Sequence, residues 1–320
     1  MKFRKILALL IASILLLTGC SGKSSEQYIY DIAYTVPNDF WAYHKNMSST
    51  FYHKGDTDTI LLVTSAYYPD YLFSDDGSDD YIGIYDSLVF TALNGYKIVQ
   101  TGVFEETYGC TGTFSASKND HTSDTGINFK NSRAGIKRHD NLVTMVILLS
   151  EEDCQKDFYG IFESIGVRES FSDSYNQLDS GIAYKIPDDC TGENGKYLTK
   201  DGDEIVVKVF SDIEINQNQS DNYQYLLTDL YEKEFSKAWN DLRYDSAYTI
   251  MQSFQIRNRI GVHDNGYLEN GRKYYSALIR VSESTFVLAS ICGEEDNESR
   301  SVNMAATLNT ILESVHPESN

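Results

Sequence analysis

The chain has 320 residues, of which 47 are acidic and 27 are basic, so its formal net charge at pH 7 is −20. A surface this acidic repels nucleic acid and anionic lipid headgroups, and we therefore expect no nucleic-acid partner. The 24 Tyr and 15 Phe residues, together with only four Pro residues, indicate an ordered globular protein rather than a disordered tail.

The N-terminus carries three cations followed by an apolar run at 6–17, which is too short to span a bilayer and is typical of a signal peptide. Residues 17–20, Leu-Thr-Gly-Cys, resemble the lipobox of bacterial lipoproteins. The resemblance implies removal of residues 1–19 and acyl chains such as palmitate on the sulfur of Cys20, with residues 20–26 as the lipidated start and tether. The alternative is an ordinary secretory signal with a chance cysteine. We expect a protein anchored on the extracytoplasmic face of the cell membrane.

One short phrase occurs twice in the chain. Residues 32–39, Ile-Ala-Tyr-Thr-Val-Pro-Asn-Asp, return at 182–189 as Ile-Ala-Tyr-Lys-Ile-Pro-Asp-Asp. Phe-Glu-Ser-Ile at 162–165 returns at 312–315 as Leu-Glu-Ser-Val. Both spacings are 150 residues (182 − 32 and 312 − 162), and a strand signature and a helix signature that recur together are typical of a duplicated domain.

The first repeat is predicted at 27–170. Strand-forming residues stop at Pro37, a nearly continuous apolar run follows at 59–65, and helical spacing at 81–93 ends in Asn94-Gly95. Four further strands are predicted at 96–105, 108–117, 126–137 and 141–149. Ser150 and Asp153 resemble a capping box that opens a closing helix.

The second repeat is predicted at 171–320 and shows the same order of elements. Its clearest helix lies at 221–240, and Asn270-Gly271 is a strong hairpin turn. Its later strands are predicted at 244–252, 253–262, 272–282 and 285–292. Each repeat thus reads as two strands, a helix, four strands and a helix, which is a normal domain in size.

This order of elements, with its opening Tyr-x-(Val/Ile)-Pro strand and its closing Glu-Ser-(Ile/Val) helix, is similar to the PsbP-like family. The resemblance implies an α+β fold of two tandem similar domains, each an antiparallel sheet covered by helices in an α-β-α sandwich. It also implies a non-catalytic binding or assembly role. The second repeat departs from the pattern, because Cys190 and Thr191 replace Phe40 and Trp41. No ligand residue of the family can be matched onto this chain.

One acidic segment is the best candidate for a metal site. Carboxylates clustered on a flexible turn can supply oxygen ligands to Ca²⁺, and the predicted ligands are Asp75, Asp76, Asp79 and Asp80. The segment is not an EF-hand, because its glycine is misplaced and the closing Glu is missing. A plain solvated acidic loop is the alternative. No other cofactor is predicted.

No motif for catalysis is present in the sequence. The six histidines form no metal-ligand spacing, and the pairs His139-Asp140 and His263-Asp264 are predicted at turns, where neighbours do not form an oriented dyad. A nucleophile elbow, a phosphate-binding glycine loop and a dinucleotide fingerprint are all missing. The remaining cysteines match no zinc pattern and are expected to be free thiols: Cys110, Cys154, Cys190 and Cys292.

These observations predict a membrane-anchored lipoprotein that acts as a non-catalytic binding or assembly module. Its partners would be the bilayer, through acylated Cys20, and a protein or cell-wall component. Two alternatives stay open. One is a small-ligand or Ca²⁺-binding lipoprotein, and the other is an extracytoplasmic hydrolase with dispersed carboxylates.

Overall fold

The structure is a computed structural model. It describes residues 24–55, 57–68, 80–118, 127–171, 173–213, 223–239, 252–294 and 298–318. Within these ranges the chain forms two seven-stranded and two three-stranded sheets, and all strand pairs are antiparallel. Strands take up far more of the described chain than helices, so the predicted α+β class fits only loosely.

The first repeat contains a seven-stranded sheet of order β3-β4-β5-β9-β8-β7-β6 and a small sheet of order β1-β2-β10. Its strands are β1 (Ser24–Ile29), β2 (Ile32–Pro37), β3 (Phe40–Lys45), β4 (Ser49–Lys54), β5 (Ile60–Tyr67), β6 (Lys97–Glu106), β7 (Gly109–Lys118), β8 (Ile127–His139), β9 (Leu142–Leu149) and β10 (Gly166–Val167). Its helices are α1 (Tyr81–Ala92) and α2 (Gln155–Ser164).

The second repeat has the same strand order, β13-β14-β15-β19-β18-β17-β16, with a small sheet of order β11-β12-β20. Its strands are β11 (Gln177–Asp179), β12 (Ile182–Tyr184), β13 (Thr191–Glu193), β14 (Lys196–Leu198), β15 (Glu204–Phe210), β16 (Gln252–Ile256), β17 (Arg259–Tyr267), β18 (Lys273–Arg280), β19 (Phe286–Gly293) and β20 (His316–Pro317). Its helices are α3 (Tyr223–Trp239) and α4 (Glu298–Ser314).

Each large sheet carries one helix on either face. Strand β9 is buried along its whole length, because α1 and α2 cover its two faces. Tyr85 of α1 packs in one apolar cluster and Phe158 of α2 packs in another. In the second repeat, Tyr231 of α3 and Leu308 of α4 likewise pack in two different apolar clusters.

The phrases that recur in sequence join the two ends of each repeat. The hydroxyl of Ser164, at the end of α2, accepts a hydrogen bond of 2.8 Å from the backbone N–H of Thr35 in β2. In the second repeat, the hydroxyl of Ser314 accepts one of 2.7 Å from the N–H of Lys185. The serine of the Glu-Ser signature therefore ties the closing helix to the opening strand.

The two repeats pack against each other through one continuous apolar cluster. Strand β16 lies against β5, and α4 lies against β3. Tyr30, in the β1–β2 turn, stacks on Phe254 of β16 with ring centroids 4.4 Å apart. The neighbouring carboxylate of Asp31 accepts hydrogen bonds from the backbone N–H groups of Arg257 and Asn258, at 2.5 and 3.0 Å.

Two local predictions are wrong. Ser150 does not cap α2, because the helix begins only at Gln155, and the Ser150 hydroxyl accepts from the N–H of Glu152 instead. The predicted strand 253–262 is broken by a turn at residues 257–258, both with positive φ. That turn carries no glycine signal, and its N–H groups bind Asp31 of the distant first repeat.

Both His-Asp pairs are predicted at turns, and this is correct only for His139-Asp140. Asp140 lies in the turn between β8 and β9, with φ of 51°. His263 and Asp264 instead lie inside β17. The predicted hairpin turn at Asn270-Gly271 is confirmed between β17 and β18, where the N–H of Gly271 donates to the carbonyl of Leu268.

Candidate binding surface

The residues predicted as sites are mostly outside the described part of the chain: Cys20, Asp75, Asp76 and Asp79. Asp80 is described, and its carboxylate accepts a hydrogen bond of 2.9 Å from the N–H of Gly83, so it caps α1. Among the described residues no cluster of His, Cys, Asp and Glu could hold a metal ion. In the same residues, no helix has the length and apolar character needed to cross a membrane.

Among the described histidines, His263 has the most strongly shifted pKa, but its position is structural. Its ring is fully buried beside the rings of Tyr30 and Phe254, and burial lowers its pKa to about 3. Both ring nitrogens lack a hydrogen-bond partner in the described structure. The neighbouring Asp264 accepts from the hydroxyl of Tyr274 at 2.8 Å. A neutral, enclosed imidazole of this kind cannot contact a substrate.

The four described cysteines are free thiols, as expected. Burial raises the thiol pKa of Cys110 and Cys292 to about 12 and that of Cys154 to about 11. A thiol is nucleophilic only as the thiolate. These three groups therefore act as small buried side chains and not as nucleophiles.

A polar cleft of about 440 Å³ lies in the second repeat between α4 and the β14–β15 turn. Its wall includes Thr307 and an ion pair in which Lys200 and Asp189 are 3.6 Å apart. At the position 150 residues earlier than Thr307, the first repeat has Asp157, whose carboxylate contacts the ammonium of Lys54. The two repeats therefore differ in charge at this place.

Strand β6 presents large apolar side chains to solvent at the edge of the first large sheet. Val99 is 55% exposed, Phe104 is 61% exposed and Tyr108, in the adjoining turn, is 69% exposed. A bulge between Gln100 and Gly102 shifts the register. It places Val99 and Phe104 on the same face although they are five positions apart, since a regular strand alternates faces.

We call Val99, Phe104 and Tyr108, with the exposed carboxylates of Glu105 and Glu106, the β6 surface. Long edge strands with exposed apolar residues are ready sites for association with another chain. The described part of β6 pairs on one side only, with β7.

The β6 surface corresponds to the part of the second repeat that the first repeat covers. Phe254 follows Phe104 by 150 residues (254 − 104). Both lie three residues before their hairpin turn, opposite Thr111 in β7 and Gly261 in β17. Phe254 is 0% exposed, because it lies in the apolar cluster between the repeats and Tyr30 stacks on it. The same position is thus buried in one repeat and open in the other.

Sequence reasoning did not identify this pair, although a signal was available. Phe104 and Phe254 stand at the same 150-residue spacing as the recurring phrases. The spacing shows that the two residues are equivalent. It does not show that Tyr30 covers only one of them, because that contact depends on how the repeats pack.

A second exposed aromatic group lies on β3 and β4 of the first repeat. Trp41 is 52% exposed, and its ring centroid lies 5.3 Å from that of His53 and 6.1 Å from that of Tyr43. The corresponding strand of the second repeat, β13, reads Thr-Gly-Glu and is exposed throughout. This aromatic group therefore belongs to the first repeat alone.

No protein-family model matches the chain, and no curated protein matches it significantly. Among solved structures, cyanobacterial PsbP (CyanoP) from Synechocystis sp. is 10% identical, with a TM-score of 0.36, and the match covers 45% of this chain and 91% of that one. The Ran-binding protein Mog1p of Saccharomyces cerevisiae is 14% identical, with a TM-score of 0.32, and the match covers 46% and 96%.

A mutant of protein Mog1 is 12% identical, also with a TM-score of 0.32, over 46% of this chain and 97% of that one. Each match therefore spans nearly a whole protein and a little under half of this chain. The first belongs to the family that the sequence resembles. At TM-scores this low, these likenesses decide nothing about function.

Proposed function

We propose that this protein is a lipid-anchored, extracytoplasmic, non-catalytic module that holds a protein partner on the β6 surface. The main support for this proposal is a difference in exposure between two equivalent residues. Phe104 is 61% exposed, whereas Phe254 is 0% exposed. The lipobox-like start supports the anchor, and the missing catalytic motifs support a binding role.

The internal interface supports a protein as the occupant. In the second repeat, the edge strand β16 is covered by the first repeat. Tyr30 stacks on Phe254, and the carboxylate of Asp31 accepts a hydrogen bond from the N–H of Arg257 in the adjoining turn. Aromatic residues near the centre of a contact supply much of the binding energy of protein interfaces. Phe104 and Tyr108 are exposed residues of this kind, so a second protein can occupy the place that Tyr30 occupies in the other repeat.

Site-directed photo-cross-linking on intact cells tests this function. Benzoylphenylalanine is placed at Phe104, at Tyr108 and, as the matched control, at Leu198, which is 48% exposed in the second repeat. We expect one common cross-linked protein at positions 104 and 108 and none at 198. Equal products at all three positions, or no product at 104 and 108, would contradict the proposal.

The anchor has its own test. Because lipid attached through Cys20 would hold the protein at the membrane, Cys20→Ala should remove the mature-sized protein from the membrane fraction. Cys190→Ala, a matched change of a described free cysteine, should leave it there. Mature-sized Cys20→Ala protein that remains in the membrane fraction would refute the anchor.

Small-ligand binding is the second candidate, and the polar cleft favours it. Thermal unfolding is followed with metals including Ca²⁺, sugars, peptides and nucleotides, since a ligand at 100 times its Kd stabilises the folded state by about 2.7 kcal/mol. A shift that Thr307→Trp abolishes would assign the ligand to the cleft. A Ca²⁺ shift that Asn at positions 75, 76, 79 and 80 abolishes would assign it to the acidic segment.

A further inference from the structure

The two equivalent surfaces carry different charges. In the second repeat, the side chain of Gln255 donates to Asp31 at 3.0 Å, and the backbone N–H of Arg257 donates to the same carboxylate. The positions 150 residues earlier are Glu105 and Thr107. An amide that donates to an acid is thus replaced by a carboxylate that can only accept.

The position after Gln255 also differs between the repeats, and again the first repeat has the acidic residue. Ile256 is fully buried against the first repeat, whereas its equivalent, Glu106, is exposed and accepts a hydrogen bond of 2.9 Å from Thr111. Arg259, on the far side of the turn, is replaced by Gly109. The second repeat therefore receives an acidic tip, while the first repeat has two exposed carboxylates next to Phe104 in sequence, where the second repeat has an amide and an apolar side chain.

From this contrast we infer that the partner docks on the β6 surface with an aromatic ring and an adjacent Lys or Arg. The ring stacks on Phe104 as Tyr30 stacks on Phe254, and the cation pairs with Glu105 and Glu106, where the other repeat has Asp31. The inference rests on the proposed function and adds the chemistry of the partner. A net charge of −20 also favours a basic partner through long-range attraction.

Neither opening hairpin of a second copy supplies this chemistry. Its Tyr30-Asp31 hairpin is buried between the repeats and carries an acid rather than a cation. The equivalent hairpin of the second repeat has Ser180-Gly181 in its turn, which offers neither a ring nor a positive charge. The partner that we infer is a different protein, and sedimentation tests a second copy.

Synthetic hairpins test the inference on the purified full-length protein. Three disulfide-cyclised peptides carry Tyr-Arg, Tyr-Asp or Ser-Arg at the tip, and their binding is measured by fluorescence polarisation at low and at physiological salt. We expect Tyr-Arg to bind about tenfold more tightly than Tyr-Asp at low salt, since two partly screened ion pairs supply a difference of this size. The difference should shrink as salt is added.

Matched variants separate the ring from the charges. Phe104→Ser should weaken both Tyr peptides, and its control, Leu198→Ser, should not. Glu105→Gln with Glu106→Gln should remove the preference for Tyr-Arg over Tyr-Asp, and Glu193→Gln, which changes an exposed acid of the second repeat, should keep it. All five positions are exposed, so the fold is retained, as circular dichroism checks.

The outcomes distinguish the inference from the proposed function. Equal binding of Tyr-Arg and Tyr-Asp that Phe104→Ser abolishes overturns the charge assignment and keeps the β6 surface as a protein-binding site. If no peptide binds but cross-linking at position 104 succeeds, the aromatic–cation tip is overturned and the β6 surface remains a protein-binding site. Sedimentation that shows a dimer sensitive to Phe104→Ser would assign the surface to a second copy and overturn the inference.

Discussion

The carboxylate of Asp31 lies 3.0 Å from the backbone nitrogen of Asn258, across 227 positions of sequence. The same carboxylate binds the N–H of Arg257. Both turn residues have positive φ, 53° and 58°, a conformation that costs free energy for residues other than glycine. A side chain of the first repeat therefore holds a strained turn of the second.

Replacing Asp31 with Ala should lower the free energy of unfolding by about 3 kcal/mol. The change removes charge-assisted hydrogen bonds and leaves two partly buried N–H groups unpaired. Urea unfolding of the variant measures the loss. Asp179→Ala is the control, because Asp179 is exposed beside the equivalent hairpin turn and should change stability by less than about 0.5 kcal/mol. Equal losses would show that Asp31 has no special role.

The ring and the hydroxyl of Tyr30 should have opposite effects on the free energy of unfolding, and two variants separate them. Tyr30→Ala removes the stack on Phe254 and should cost about 3–5 kcal/mol, as other buried aromatic-to-Ala changes do. Tyr30→Phe keeps the ring and removes a buried hydroxyl that has no partner in the described structure, so it should raise stability by up to about 1 kcal/mol. Chemical denaturation checks both. A loss in Tyr30→Phe as large as in Tyr30→Ala would mean that the hydroxyl is bound.

Local signals in the sequence predict the helix at 81–93 and the four later strands of the first repeat well. The helix expected at 81–93 is observed at Tyr81–Ala92, because its apolar spacing and its Asn-Gly stop are properties of the segment itself. Strands β3 and β4 were not predicted. Their turn depends on the side chain of Asn46, which accepts from the N–H groups of Ser48 and Ser49 at 3.1 and 2.7 Å, a turn type with little pattern around it.

The binding surface was harder to predict than the fold, for a physical reason. Phe104 and Phe254 have the same residue type, the same strand position and the same distance to a turn. Their exposure differs because the Tyr30 hairpin packs on one of them. Exposure of this kind depends on contacts between repeats, and a periodic pattern within one repeat carries no information about them.

The serine of the recurring Glu-Ser phrase should contribute equally in both repeats. Ser164→Ala and Ser314→Ala each leave one backbone N–H without its 2.7–2.8 Å partner, and each should lower the free energy of unfolding by about 1–2 kcal/mol. The double variant should show the sum, since the two sites share no partner. Ser170→Ala, in an exposed segment, is the control. A loss in only one of the two variants would mean that the repeats use the serine differently.

Burial of His263 predicts that the protein loses stability in acid. The folded pKa of this imidazole is about 3, far below its ordinary value of 6.5, because burial disfavours the charged form. Between these two values the unfolded chain binds a proton that the folded chain does not, so the free energy of unfolding falls as pH falls from about 6.5 towards 3. The slope from this group approaches about 1.4 kcal/mol per pH unit.

His263→Leu should remove this contribution, so its free energy of unfolding should fall less steeply over the same pH range. Urea unfolding at several pH values gives the two slopes. Ile279→Val is the control, because it trims the same buried cluster by one methylene, costs about 0.5–1.5 kcal/mol and removes no titrating group. Its curve should lie below that of the parent and parallel to it. A His263→Leu curve parallel to the parent curve would show that this imidazole is protonated in the folded protein, and the stacked interface of Tyr30, Phe254 and His263 would then have to admit a charge.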